Sequence, residues 1–537
     1  MKAKHIYILS LFAICIGITC KKNKTTDTDT KEKDKTIRAN FLIKNGTIYD
    51  GTDSDPVKTD IAIKNDTIVF IGNSSTADLT ADETIDADGF IITPGFIDPH
   101  THCETDLSSM DQTLRRNLIF LRQGVTTVLT GNDGYGTINT GKQLSDWQES
   151  GIGTNVGLFV GFGSVRKEVL GSDNVQPNAT QLAQMKSIAA KAMSEGAFGL
   201  STGLSYIPQS YSLRKGTEVK EVAKATQPYN GVYDTHLRNQ GSGILDAIKE
   251  VEEISDYAGN LKVHISHIKV GPIKNYPLVD NIIAQINAAR NRGMNMTANV
   301  YPYLASADGL RILIPSAYRA NSTVYKSAYD NATTKTSMYN NVRNALIDIG
   351  ETVEEGAKLI VVVENYSNWK NKSLWELSQE QGKDPMNTAL DMLYQHWGIA
   401  IHTYGQSEDV MKKFLSQSYI VTGSDGSRTH PRGAGTFPEA IKHYSVDEGV
   451  QTLKQAIRTS SGLTAEIFGI KKRGILKVGN YADIVVLDLP NYKANATYEE
   501  PEIYATGVKY VFLNGRLVVK DDVFQGTLAG RGLKKDK

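Results

Sequence analysis

Residues 94–103 read PGFIDPHTHC, and the reading of the whole chain turns on the two histidines in this stretch, His100 and His102. A short apolar run, with Phe90, Ile91, Ile92 and Phe96, leads into them. Alternate side chains of a β-strand face the same way, so both imidazoles would aim at one point just past the strand end. Imidazole is a good ligand for zinc and its neighbours in the first transition row. One HxH pair is only a moderate signal. The rest of the chain must supply the remaining ligands.

Working outward, apolar strand patterns alternate with helical ones, which argues for parallel βα units. Candidate strands cover 125–131, 155–161, 197–202, 231–236, 262–267, 296–301, 358–363 and 419–425. With the strand ahead of His100 they make nine candidates for the eight places of a closed barrel, so one belongs elsewhere. Ile244, Ile248, Val251 and Ile254 fall at helical spacing and predict one apolar stripe. This rhythm favours an α/β fold of the TIM-type (β/α)8 barrel over an open doubly wound sheet, and no GxGxxG opens a first βα turn. A polar, Tyr- and Asn-rich stretch at about 304–357 breaks the rhythm and predicts an insertion over the barrel mouth.

The two ends of the chain read differently. FLIKNGTIYDG (41–51) carries an Asn45-Gly46 hairpin signal, and DIAIKNDTIVFIG repeats it with Asn65-Asp66. Residues 475–519 look similar, with Asn514-Gly515, and the two β-rich ends are expected to close on one another as a small sandwich. At the start, Lys2 and Lys4 precede an apolar run over 6–19 that stops at Cys20 and is followed by Lys21-Lys22-Asn23-Lys24. That pattern predicts a secretory signal, too short to span a bilayer comfortably. The cysteine directly after it resembles a bacterial lipobox, although Gly17 and Thr19 are not the commonest residues at their places. Lipidation at Cys20 and an extracytoplasmic, membrane-anchored location are the expectations. The chain thus divides into a signal (1–20), a polar tether (21–38), sandwich (39–92), barrel (93–474), sandwich (475–520) and a C-terminal tail (521–537).

Lys+Arg and Asp+Glu both number 59, so no global field points to nucleic acid. Cys15 lies in the signal and Cys20 would carry the lipid; only Cys103 remains, so no disulfide framework exists. Composition predicts no particular oligomeric state.

In a TIM barrel the working residues sit at the C-terminal strand ends. Those ends hold His100 and His102, Asp133 in GNDG, His236 in DTHLR, His267 in ISHIK and Asp425 in GSDG. Taken together, four histidines and two carboxylates at such positions predict a metal site. Cys103 should face away from His102 and is expected to pack.

The segments PGFIDPHTH, GVTTVLTGNDG, GAFGLSTGLSY, THLRNQGSGILDAI, ISHIK, YPY, GSDG with HPR and GTFPEAI, and GILKVGNYADIVVLD resemble the amidohydrolase superfamily. Within it they are similar to the N-acyl-D-amino-acid deacylases, from about residue 40 to 520. The resemblance implies one metal position held by His236, His267 and a cysteine of a GNCG motif, where this sequence has Asp133. A thiolate is a soft donor, whereas a carboxylate is hard and can bridge two ions, so one or two zinc ions or another divalent metal are implied. The second position would use His100, His102 and Asp425. The resemblance also makes Asp425 the general base toward a metal-bound water, and sets Arg432, Lys269, Tyr301 and Tyr206 around the carboxylate of an N-acyl-amino-acid substrate. Ser306 falls one position early for the family's serine after YPY, and Ala307 takes the matching place. Two alternatives stay open: an amidohydrolase of a cyclic amide or dipeptide, and an inactive surface lipoprotein that binds peptides or wall fragments.

Overall fold

Eight strands form one ring: β1 (Phe96–Thr101), β2 (Val125–Thr130), β3 (Asn155–Leu158 continuing as Val160–Gly161), β4 (Gly199–Gly203), β5 (Val232–His236), β6 (Lys262–Ile265), β7 (Met296–Val300) and β8 (Ile420–Thr422). The computed structural model describes residues 36–363, 366 and 368–535. Each strand pairs in parallel with the next, from Phe96 opposite Val125 round to Val300 opposite Thr422. A bridge between Thr101 and Gly426 closes the ring, and the His102 amide donates to the Gly426 carbonyl at 2.9 Å. Strands covered on both faces carry near-continuous buried runs, such as VTTVLT in β2 and MTANV in β7. Outside them, Ile244, Ile248, Val251 and Ile254 of the helix Ile244–Tyr257 are all buried, the stripe their spacing predicts. The barrel floor is filled by Phe468, from the helix Gly462–Phe468, with Ile97, Leu129, Phe159, Phe198 and Val421. The interior is packed, so a site can open only at the opposite, C-terminal rim.

The ninth candidate strand is corrected here. Ile360–Val362 pairs antiparallel with Ala400–Tyr404, which also pairs with Ala305–Gly309 in a separate three-stranded sheet. A short apolar run reads alike in either sheet, because only its tertiary partners distinguish the two. The insertion therefore reaches from Ala305 to Tyr404, well past residue 357. It has its own apolar core, including Tyr325, Val342, Leu346, Leu377, Leu390 and Ile401.

Both chain ends build the sandwich. A four-stranded sheet runs in the order Thr67–Gly72, Asp60–Lys64, Ile37–Lys44, Leu79–Asp86. It faces a seven-stranded sheet that includes Ile91–Pro94, Ile484–Leu487, Val508–Leu513 and Arg516–Lys520. Ile43, Ile61, Ile63, Ile92, Ile484 and Phe512 pack into the seam between them. Asn65-Asp66 and Asn514-Gly515 each join paired strands. Asn45-Gly46 does not: Ile37–Lys44 and Thr47–Ile48 belong to different sheets, and the left-handed turn at Asn45 (φ 64°) carries the chain between layers. The dipeptide fixes a reversal, not a partner. Two boundaries also move. Ile37 and Arg38, assigned to the tether, begin a strand, and the assigned tail adds the strand Val523–Phe524 and a bridge from Gly532 to Val156 of β3. The signal, Cys15, Cys20 and tether residues 21–35 lie outside the described residues. Among the described residues no helix is long and apolar enough to cross a membrane.

Sandwich and barrel are tied by a buried polar joint. Asp483 accepts from the Asn514 amide at 2.7 Å and from Asn155 of β3 at 3.2 Å, and pairs with Arg473. Arg473 also donates to the Asn514 side chain at 2.7 Å. Asp483→Ala should leave the buried guanidinium without its counter-charge, at a cost of about 3–5 kcal/mol. A lowered denaturant midpoint is the expected result; an unchanged one would show that the joint contributes little.

Candidate metal centre

The predicted ligands meet at the rim, each delivered by a strand end. His100 and His102 leave β1 together, and Asp98 anchors that end by accepting from the His100 amide at 3.2 Å and the Ser424 amide at 3.0 Å. Asp133 stands on the glycine-rich turn after β2 with φ 57°. Gln209 fixes this turn: its amide donates to the Asp133 carbonyl at 2.8 Å, and its oxygen accepts from the Gly203 amide at 2.7 Å. At Gly134 (φ 78°) a Cβ would lie 2.0 Å from the Gln209 side-chain oxygen, so only glycine fits the approach. His267 and Asp425 also hold positive φ, 35° and 50°. Strain of this kind concentrates at functional sites, where surrounding structure over-determines it.

Two donor sets share one residue. His100, His102, Asp133 and Asp425 form the first, and Asp133, His236 and His267 the second, with ligand atoms in each set within 4.8 Å of one another. One Asp133 oxygen lies 3.7 Å from His100 Nε2 and 3.6 Å from His267 Nε2; the other lies 3.6 Å from His102 Nε2. Asp425 Oδ1 is 3.0 Å from His102 Nε2 and 3.4 Å from His100 Nε2. His236 Nδ1 faces His267 Nε2 at 3.0 Å.

The donor set fits a divalent cation on internal grounds. Both ring nitrogens of His100 and one Asp133 oxygen are buried without a hydrogen-bond partner, a costly arrangement unless something else satisfies them. Burial pulls the His102 imidazole down, but the Asp133 and Asp425 carboxylates outweigh it and hold it well above its usual range. Burial would raise the Asp133 carboxyl, yet the imidazoles of His100, His102 and His267 hold it well below the usual carboxylate range. Burial, with Lys269 nearby, pushes His267 down to about 4. Neutral His267 and ionised Asp133 are in the forms that bind metal, whereas His102 must release a proton to do so.

The four other predicted residues stand beside this cluster. Arg432, buried, places Nη2 2.8 Å from Asp425 Oδ2 and lies over the Tyr301 ring, 4.6 Å from its centroid. Lys269 Nζ is 3.0 Å from His267 Nδ1 and 5.7 Å from the Tyr301 ring centroid. The Tyr206 hydroxyl lies 3.1 Å from His236 Nδ1, so it touches a ligand as well as lining the cleft. Ser306 donates to Asp308 at 3.0 Å. Cys103 packs in an apolar cluster with Leu107 and Phe120, and its thiol contacts Thr101 at 3.3 Å. Sequence reasoning missed Gln209, Asp308 and His430. His430 accepts from the Arg432 amide at 3.1 Å, and its Nε2 lies 3.0 Å from the Ala305 carbonyl, joining the HPR turn to the insertion. Its place in HPR was the one available signal. The cleft over the cluster has two lobes, of about 700 and 470 Å³, both bordered by Tyr206, Asp308 and Asp425.

A sequence profile of the amidohydrolase family matches residues 91–518. D-aminoacylase of Alcaligenes xylosoxydans xylosoxydans is 30% identical over 526 residues, 92% of this chain and 97% of that protein. N-acyl-D-glutamate deacylase of the same organism is 26% identical, over 89% and 93%. A D-aminoacylase structure described as having a binuclear metal centre superposes with a TM-score of 0.77 at 27% identity, covering 92% of this chain and all of that one.

Asp133→Ala removes the residue common to both donor sets and should abolish stable metal retention, measured as metal per chain after dialysis. Gln209→Leu leaves every ligand in place but frees the turn, and should weaken metal affinity by about 10–100-fold in a chelator competition. Wild-type retention by both variants would dismiss the shared-ligand geometry.

Proposed function

The chain belongs to the amidohydrolase family, and on that premise we propose that it hydrolyses the amide bond of N-acyl-D-amino acids, releasing a carboxylate and a D-amino acid. The observation that carries this reading is the convergence of six metal ligands with Lys269, Tyr301 and Arg432 at one rim, in a chain similar along nearly its whole length to D-aminoacylase. The reading includes zinc as the metal, held by His100, His102, Asp133, His236, His267 and Asp425. When bound, such a cation supplies a Lewis acid for the amide carbonyl and lowers the pKa of water.

The protein's own groups perform the rest. Arg432 engages Asp425 Oδ2 and leaves Oδ1 facing the ligand cluster, so one oxygen is anchored and the other can move a proton. Burial would raise the Asp425 carboxyl, but Arg432, His267 and His100 hold it well below the usual range, so it stands ionised. Oδ1 takes a proton from the attacking water as the new C–O bond forms. It returns that proton to the amide nitrogen as the C–N bond breaks. Lys269 and Arg432 provide positive charge for the amino-acid carboxylate, and the planar Arg fork suits it. Tyr301, whose hydroxyl accepts from Gln406 at 2.8 Å, gives that binding place a rigid wall.

Hydrolysis of N-acetyl-D-amino acids but not their L-isomers by the zinc-loaded protein is expected; cleavage of cyclic amides or dipeptides alone would overturn the reading. Asp425→Asn should lower kcat by about 10²–10⁴-fold, and wild-type turnover would remove Asp425 as base. Because Arg432 touches both Asp425 and the cleft, Arg432→Ala should raise KM and lower kcat together. From the amino-terminal residues we further infer export and lipidation at Cys20. Globomycin treatment of a producing bacterium should then accumulate a larger precursor; an unchanged size would dismiss the anchor.

A further inference from the structure

The larger lobe of the cleft opens from the ligand cluster toward solvent, and besides Arg432, which is paired with Asp425, three further cations wall it. Lys167 comes from the helix Phe162–Leu170, and Arg311 and Arg319 from the first part of the insertion. Among the described residues none of the three forms an ion pair with a carboxylate. Arg319 is held in place by donating to the Ile312 and Ile314 carbonyls, at 2.6 and 2.7 Å, which leaves the far edge of its guanidinium unengaged. The smaller lobe differs. There Lys274 is paired with Asp348, and Arg238 with Glu250 at 2.9 Å.

Lys167, Arg311 and Arg319 outnumber Asp308, the carboxylate that lines this lobe outside the ligand cluster, so a further anion placed among them offsets their mutual repulsion. Two of the three are arginines, whose planar forks match a carboxylate. Trp397 and Ile312 on the same wall suit the apolar spacer that would connect such an anion to the scissile amide. Lys269 lines only the smaller lobe, and Arg432, which lines this one, is buried against Asp425; those two serve the α-carboxylate. Asp308 lines both lobes and stands between the two groups of cations.

We infer that this chain acts on N-acyl-D-amino acids carrying a second anionic group, seated among Lys167, Arg311 and Arg319 in the outer lobe. The inference rests on the deacylase reading. The second anion belongs either to the amino-acid side chain or to the far end of the acyl chain, and matched substrates distinguish them.

The test compares kcat/KM of the zinc-loaded protein within two pairs: N-acetyl-D-glutamate against N-acetyl-D-glutamine, and N-succinyl-D-leucine against N-pentanoyl-D-leucine. One pair should favour its anionic member by about tenfold or more, and which pair does so locates the charge. Raising ionic strength from about 0.05 to about 0.5 M should erode that advantage. Exposed positions serve for the variant, so its fold is not at stake. In Lys167→Gln/Arg311→Gln the ratio of anionic to neutral kcat/KM should fall at least severalfold. Turnover of the neutral members at equal or better efficiency would overturn the subsite and leave the deacylase reading intact. An anionic advantage untouched by the double variant would overturn the assignment of these residues. No hydrolysis of any of the four would overturn the deacylase reading, and this inference with it.

Discussion

The carboxylate of Asp133 is the constraint on which the rest of this site depends. It is the one side chain common to both donor sets, and each of its oxygens faces a different imidazole of the HxH pair. A thiolate at this place would present a single soft atom, whereas a carboxylate spans two neighbouring positions with hard donors. The backbone has to deliver that group against its own preference, since a non-glycine residue with positive φ is costly by about 1–2 kcal/mol. Gln209, Ser201 and the glycines around Asp133 hold the turn there, with the Ser201 hydroxyl accepting from the Gly134 amide at 3.1 Å.

A second tier of buried polar groups stands behind the ligands. Asp98 braces the end of β1, and Asp234 accepts from Ser266 at 2.8 Å and from Asn132 at 3.0 Å. Burial pushes both carboxyls up to about 6, against the hydrogen bonds that favour their charged forms. The Asn299 side chain accepts from the His267 amide at 3.1 Å. These contacts lock the strand ends relative to one another, so the barrel sets most of the ligand geometry and the braced turn carrying Asp133 completes it. Such outer partners set ring orientation and ligand basicity, and metal affinity is sensitive to them.

Much of this was legible beforehand, and the reasons are local. His100 and His102 stand out because a strand's two-residue period puts both on one side, and apolar runs spaced by helices announce a closed parallel sheet. The run at 358–363 misled because an apolar β-segment carries no mark of its partners. Asn45-Gly46 misled because the dipeptide encodes a reversal without saying which strand follows. Gln209 and Asp308 left no trace at all: a glutamine in a short turn gains its role only when the fold sets it under Asp133. Charge pairing is equally invisible along the chain. Lys274 and Lys167 look alike in sequence, yet only the first meets a carboxylate.

The insertion between β7 and β8 leaves and rejoins the barrel at nearly one point, where the Leu304 carbonyl accepts from the amides of Gly405 and Gln406 at 3.4 and 3.2 Å. It carries a hydrophobic centre of its own, while Asp308, Arg311, Arg319 and Trp397 hang from it over the rim. Selection can therefore redraft this canopy, or trade it whole, without disturbing the bed of imidazoles underneath. Much of the outer wall and the whole bed of imidazoles thus lie on separate pieces of one chain.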